Sequence, residues 1–381
     1  MIYLVLITIL LFLLLLGCNW GMFSMKAVVK KVTVHNGKRI IAISDIHGSL
    51  SLFKKLLSKI SYSENDVLFL VGDLIEKGEE SLNTLRYIMQ LSKEREVYTV
   101  MGNCDTLWED INSEVEDENL LQYMLFRKNS ILNDMCKEIF LEIDEKSDIQ
   151  YIKKQLRSNF TTELNWLMEL PHIIETDNYI FAHAGITFEE LEKNEVKEVL
   201  KRDAFIEEGL VFHKYVIVGH WPTANYGKDK ACCNPIINEN QKIISIDGGN
   251  TIKTEGQLNA LIIDNDDFSF EHVDNFHKEE VKIAQHENKD TIQISWSDNL
   301  IEIIEESEEF SLCRHISSKH ELLIKNDIIF KGKDGIHCYD CTDYFIEAKA
   351  GEIVSIIERC KDRTLVKNNG IVGWIENEKL K

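Results

Sequence analysis

Proline is scarce, with three in 381 residues, so a Pro-rich linker or extended polyproline segment is excluded. Positive charge is also short: 43 Lys and Arg stand against 64 Asp and Glu, a formal net charge of −21. That balance argues against a nucleic-acid binder, because phosphate backbones reward clustered Lys and Arg. It does not exclude an enzyme acting on phosphates, since bound cations supply positive charge locally. Dense cysteine pairing is missing as well. The nine cysteines are scattered and odd in number, which fits reduced thiols better than a secreted disulfide framework. Cys338 and Cys341 form one CxxC beside His337, too few partners for a four-coordinate zinc site.

Long apolar runs occur once. Ile2 to Leu16 is nearly unbroken and continues less purely to Phe23. Residues 2–23 approach the ~20 apolar residues that span a bilayer. No Lys or Arg precedes the run, unlike a secretory signal. Lys26, Lys30, Lys31, Lys38 and Arg39 all follow it, which would place the following domain on the cytoplasmic side of a membrane. A start at Met22 or Met25 would instead give an untethered cytosolic chain. The expectation is a cytoplasmic domain, either tethered through residues 2–23 or free.

The chain as a whole is 44% hydrophobic, enough for a sizeable core. Arg39–Ser44, Val67–Val71 and Val97–Met101 are short apolar runs that read as buried strands. Between them, Leu52, Leu56, Leu57 and Ile60, then Leu82, Leu85, Ile88 and Met89, recur at helical spacing. Strand–helix alternation predicts a parallel α/β sheet, with polar residues at strand ends forming the site. Residues 108–170 read as a helical insertion. Strands resume at Tyr179–Ala182, Tyr215–Val218, Lys242–Ile246, Ala260–Asp264 and Phe268–His272. Beyond Asp274 the alternation stops and short β-prone runs with turn signals suggest a small all-β barrel. The expected divisions are an apolar segment 1–24, a main domain 25–275, a connecting β-prone stretch 276–310 and a barrel-like module 311–381.

Five polar clusters each follow a buried strand: Asp45-Ile46-His47-Gly48, Gly72-Asp73, Gly102-Asn103-Cys104-Asp105, His183-Ala184-Gly185 and Gly219-His220. Carboxylate, imidazole and amide oxygen together suit manganese, iron, zinc or magnesium. A single Asp at a strand end is ordinarily a helix cap, and a single His after an apolar run an ordinary core residue. Five such clusters in succession are not explained that way.

Their order and spacing over roughly residues 39–270 resemble the calcineurin-like metallophosphoesterases, in the phosphoprotein-phosphatase branch. The resemblance implies a four-layer αββα sandwich with a helical insertion. It also implies two divalent metal ions (Mn, Fe or Zn) and hydrolysis of phosphate esters through a metal-bridging hydroxide. Residue by residue it implies that Asp45 and His47 hold one metal, that Asp73 bridges, and that Asn103, His183 and His220 complete the second. Ile246-Asp247-Gly248-Gly249 resembles a late turn of the family. Three departures stand out. The early phosphate-binding arginines are matched by Lys77 and Met101, and Arg202 resembles a third. Cys104 stands where the branch has its acid His, and Glu76 where that His finds its carboxylate partner. The C-terminal stretch Lys349–Leu380 resembles bacterial Src-homology-like barrels, which implies either a peptide or protein partner or structural packing against the enzyme.

The substrate expected is a phosphoprotein or small phosphate ester, and the activity that of a serine/threonine-phosphatase-like phosphomonoesterase of bacterial type. A dinucleoside polyphosphate hydrolase or phosphodiesterase of the same fold is the alternative. A non-catalytic metal- or phosphate-binding module is the alternative from another class.

Overall fold

The structure, a computed structural model, describes residues 25–35, 37–113 and 118–381. The apolar segment 2–23 lies outside the described residues. Among those described, no helix is long and apolar enough to cross a membrane.

The chain divides into two compact units. The first holds residues up to Trp221 together with Pro235–Ile252 and Leu258–Val273. The second holds Pro222–Asn234, Lys253–Gln257 and Asp274–Lys381.

Through the first unit run β1 (Val29–Lys31), β2 (Arg39–Ile43), β3 (Asp66–Val71), β4 (Val97–Val100), β5 (Ile173–Glu175), β6 (Tyr179–Ala182) and β7 (Tyr215–Val218). After β8 (Ala231–Cys232), which belongs to the second unit, follow β9 (Ile236–Asn238), β10 (Ile243–Ser245), β11 (Leu258–Asp264) and β12 (Asp267–Val273). One sheet has the order β12-β11-β2-β3-β4, the other β1-β5-β6-β7-β10-β9. The central pairs β2–β3, β3–β4, β6–β7 and β7–β10 are parallel.

Side-chain alternation explains the layering. In β2, Ile40 and Ala42 point between the sheets, whereas Ile41 and Ile43 face the helices. The inter-sheet core joins Val67, Phe69 and Val71 from one sheet to Ile174, Phe181 and Ile217 from the other. The rings of Phe69 and Phe181 stack with centroids 3.9 Å apart. Helices Leu50–Lys59 and Ser81–Glu94 cover the first sheet with Phe53, Leu56, Leu85 and Ile88. The second sheet is covered more thinly, by Val196–Leu200 and 3₁₀ turns that contribute Val199 and Phe205. This is the mixed α/β sandwich expected, with one outer layer reduced.

The expected insertion is helical: Leu107–Asn112, Glu118–Phe126, Ile131–Glu138, Ile149–Asn159 and Thr161–Met168. Ser130 and Asp148 cap the third and fourth of these by accepting from Leu132 and from Gln150 and Tyr151.

The second unit is all-β apart from short 3₁₀ turns. One sheet pairs His277–Glu280, Ile353–Arg359, Arg363–Asn368, Ile371–Glu376 and β8 in that order. Another is built from Leu300–Glu305, Phe310–His315, Glu321–Lys325, Ile329–Lys331 and Ile336–Cys338. The strands therefore do not follow the expected division at 310/311. Residues 276–310 supply strands to both sheets, because Ile353–Arg359 and Phe310–His315 find ladder partners on the far side of that boundary. The Lys367 ammonium, buried in this unit, donates to the Glu255 and Gly256 carbonyls and pairs with Asp274 at 3.2 Å.

Replacing Phe69 by Ala removes half of the stacked pair that joins the sheets. Urea unfolding is expected to show a loss of about 3–5 kcal/mol; an unchanged midpoint would count against this packing.

Candidate metal centre

The polar clusters sit where parallel strands end. Asp45 and His47 follow β2, Asp73 follows β3, Asn103 and Cys104 follow β4, His183 follows β6, and His220 follows β7. The backbone turns sharply there, and Asp45, His47, Asp73 and His220 all have positive φ, between 48° and 66°. Non-glycine residues seldom occupy this region, so something must hold them in it. Hydrogen bonds between neighbouring loops do so: Asp45 N to Gly72 O, His47 N to Asp73 O, and Gly219 N to His183 O, at 2.8–3.0 Å. Gly219 has to be glycine, because a Cβ there would lie 2.2 Å from Asp45 Oδ2.

Asp73 is the hub. Its carboxylate lies 3.3 Å from His183 Nε2 and 3.7 Å from His47 Nε2, and accepts from the Cys104 N–H at 2.8 Å. Asp45 Oδ1 lies 3.7 Å from His47 Nε2, and Asp45 Oδ2 accepts from the His220 N–H at 3.0 Å. Two triads of donor atoms converge, each within 4.8 Å: Asp45, Asp73 and His183, and His47, Asp73 and Cys104. Asp73 belongs to both.

Backbone carbonyls fix the imidazoles. Val71 O lies 2.9 Å from His183 Nδ1, and Ile75 O lies 3.3 Å from His47 Nδ1. A carbonyl can only accept, so each Nδ1 donates to it, and in the neutral tautomer each ring turns its Nε2 lone pair inward. His183 Nε2 then faces Asn103 Oδ1 at 3.2 Å and Asp73 Oδ1 at 3.3 Å. In that tautomer three acceptors meet at this point, an arrangement that a cation among them would relieve.

The carboxylates give the same indication. Burial, then the charge on Asp73, pushes the Asp45 carboxyl up to about 8. Burial works against Asp73 too, but His183, His47 and Lys77 outweigh it and hold that carboxyl below its usual range. Asp45 Oδ1 is buried without a hydrogen-bond partner. Buried oxygens and imidazole lone pairs with too little positive charge between them fit divalent cations.

His220 sits at the edge of this cluster. Its ring is 5.1 Å from that of His183, and its Nε2 is 3.8 Å from Asp203 Oδ1. Lys77 is drawn inward, with Nζ 3.2 Å from His47 Nε2. Burial alone would lower its ammonium, but Cys104, Asp73, Asp45 and Asp247 raise it. Burial, followed by Lys77, drives His47 down to about 3.

Two expectations need correction. Glu76 is not a partner of Cys104: its carboxylate accepts from Tyr123 Oη, from Ser130 Oγ at 2.9 Å and from Ile131 N at 2.7 Å, all in the helical insertion. Arg202 is held by Glu208 at 3.2 Å, by Thr187 and by Glu198, and lies over the Phe205 ring, so acidic neighbours already neutralise it. Asp203 and Tyr123 escaped the sequence reading, and Asp105 was named there within its cluster but given no role. Asp105 Oδ1 accepts from Leu74 N and its Oδ2 from Gly102 N, both at 2.9 Å, which ties the β3 and β4 loops together. Its place two residues after Asn103 was the available signal. Cys338 and Cys341 lie with sulfurs 3.9 Å apart and join no metal-ligating group among the described residues.

Comparison with known proteins bears on the same region. Residues 38–244 match the family model described as calcineurin-like phosphoesterase. The symmetrical bis(5'-nucleosyl)-tetraphosphatase of Haemophilus ducreyi is 30% identical over 148 residues, 38% of this chain and 44% of that protein. Its counterpart from Buchnera aphidicola subsp. Acyrthosiphon pisum is 35% identical over 113 residues, 28% of this chain and 40% of that protein. The chain thus spans less than half the length of these curated relatives. A protein serine/threonine phosphatase from Saccharomyces cerevisiae overlaps 68% of this chain and 87% of its own, at 11% identity and a TM-score of 0.42.

Glu76→Gln would put an amide where three donors now meet a carboxylate. It is expected to cost about 1–3 kcal/mol in denaturant unfolding while metal content stays unchanged. Loss of bound metal with unaltered stability would restore Glu76 to the reacting groups.

Proposed function

This chain belongs to the calcineurin-like phosphoesterases, and on that premise we propose that it is a metal-dependent hydrolase of phosphate esters. The observation that carries the reading is Asp73, shared by two converging donor triads whose imidazole lone pairs are aimed inward. Two divalent cations bound there would supply Lewis acidity and an activated water near neutral pH. Asp45, His47, Asp73, Asn103 and His183 would hold them, with His220 completing the set from its edge position.

The chain's own residues set the rest. Lys77 offers an ammonium to the non-bridging phosphoryl oxygens, as a point charge rather than the fork of an arginine. Protonation of the leaving group is the weak step. Cys104 supplies a thiol in place of an imidazole, and burial and then Asp73 push that thiol well above its usual range. A thiol is not the imidazole acid of the resembled branch, and without such an acid a serine alkoxide departs poorly.

We therefore favour substrates whose leaving group departs as a weak base: phosphoanhydrides such as dinucleoside polyphosphates, and aryl phosphates. The names of the relatives support the same class. The second reading, a serine/threonine-phosphatase-like phosphomonoesterase, draws support from the motif set and from Lys77 standing at a phosphate-binding position.

With manganese, zinc, iron and magnesium in turn, the protein is expected to hydrolyse diadenosine tetraphosphate and p-nitrophenyl phosphate. A phosphoserine peptide should be slower by about 10²-fold or more, the usual worth of a positioned acid. Asp73→Asn should abolish all three activities. Absence of cation-dependent turnover on every substrate would overturn the assignment, and a peptide rate equal to the dinucleotide rate would favour the second reading.

A further inference from the structure

Resting on the metal-centre reading, we propose that Cys104 is itself a metal ligand, so that one of the two cations is bound through sulfur. Cys104 Sγ belongs to a triad with His47 and Asp73 whose donor atoms all lie within 4.8 Å of one another. Independent of the cysteine, Asp45 Oδ1 is buried without a hydrogen-bond partner and lies 3.7 Å from Nε2 of His47, a member of that triad. Asp45 is 1% exposed and His47 fully buried, so bulk solvent does not reach these groups.

The backbone holds the thiol in position. The Cys104 N–H donates to Asp73 Oδ1 at 2.8 Å, and the residue lies in the 3₁₀ turn Asn103–Thr106 that Asp105 pins through Gly102 and Leu74. The Asn103 Nδ2 group is 3.5 Å from the sulfur, so the amide's oxygen faces His183 while its nitrogen faces Cys104. That orientation suits an anionic sulfur and a neighbouring cation. Binding balances as loss of the thiol proton to solvent and formation of one metal–sulfur bond.

Lys77 donates to His47 Nε2, and with a cation held by this triad its ammonium would be free to turn to substrate. A thiolate ligand shifts preference toward softer ions, zinc, iron or cobalt, over magnesium and manganese. It also removes Cys104 from proton transfer, in keeping with the weakly basic leaving groups inferred above.

Full-length protein loaded with Co(II) tests this. Wild type is expected to show a sulfur-to-cobalt charge-transfer band in the near ultraviolet beside the weaker visible d–d bands. Cys104→Ser should keep the d–d bands and lose the charge-transfer band. Chelator competition should show its preference for zinc over manganese falling by about 10-fold or more. Cobalt bound with no charge-transfer band, or a band that survives in Cys104→Ser, overturns the sulfur ligand and leaves the metal centre standing. Failure of wild type to bind cobalt at all overturns both.

Discussion

Everything in the first unit is arranged around a shortage of positive charge between Asp45 and Asp73. Both carboxylates are buried at the ends of neighbouring strands. The surrounding hydrogen bonds aim more lone pairs at them, from His47, His183 and Asn103. An apolar sandwich alone would not tolerate such a concentration of acceptors. The fold accepts it because the sheets and their cross-linked loops are rigid enough to keep the groups from relaxing apart.

Rigidity of this kind comes from local choices. Strands β2, β3 and β7 each lead into a residue forced into left-handed backbone, and neighbouring loops supply the hydrogen bonds that keep it there. Gly219 lets the backbone after β7 pass against Asp45, and Asp105 spans two loops with one carboxylate. Strain confined to a few peptide units is offset by the continuous inter-sheet core beneath them.

Much of this was legible in the order of residues alone. Apolar runs ending in Asp, Asn and His exposed both the strands and the polar ends that converge, because burial and polar strand ends leave their signature within a few residues. What stayed hidden depends on long-range partners. Glu76 lies three residues after Asp73 in the chain, yet its three donors come from Tyr123, Ser130 and Ile131, in a distant stretch of sequence. Arg202 carries the charge of a phosphate ligand, but only the fold discloses that Glu198 and Glu208 surround it. The strands of the second unit were foreseen as β-prone runs. Their partners were not, since His277–Glu280 pairs with Ile353–Arg359 across a long stretch of chain.

Lys77 carries a consequence for the protein before it meets any ion. Its ammonium rests against His47 among Asp45, Asp73 and Asp247. The side chain is thus a resident counter-ion, a positive partner built into the chain for acids buried together at the strand ends. A divalent ion bound there would stand where that ammonium now reaches, trading one positive partner for another among the same buried acids.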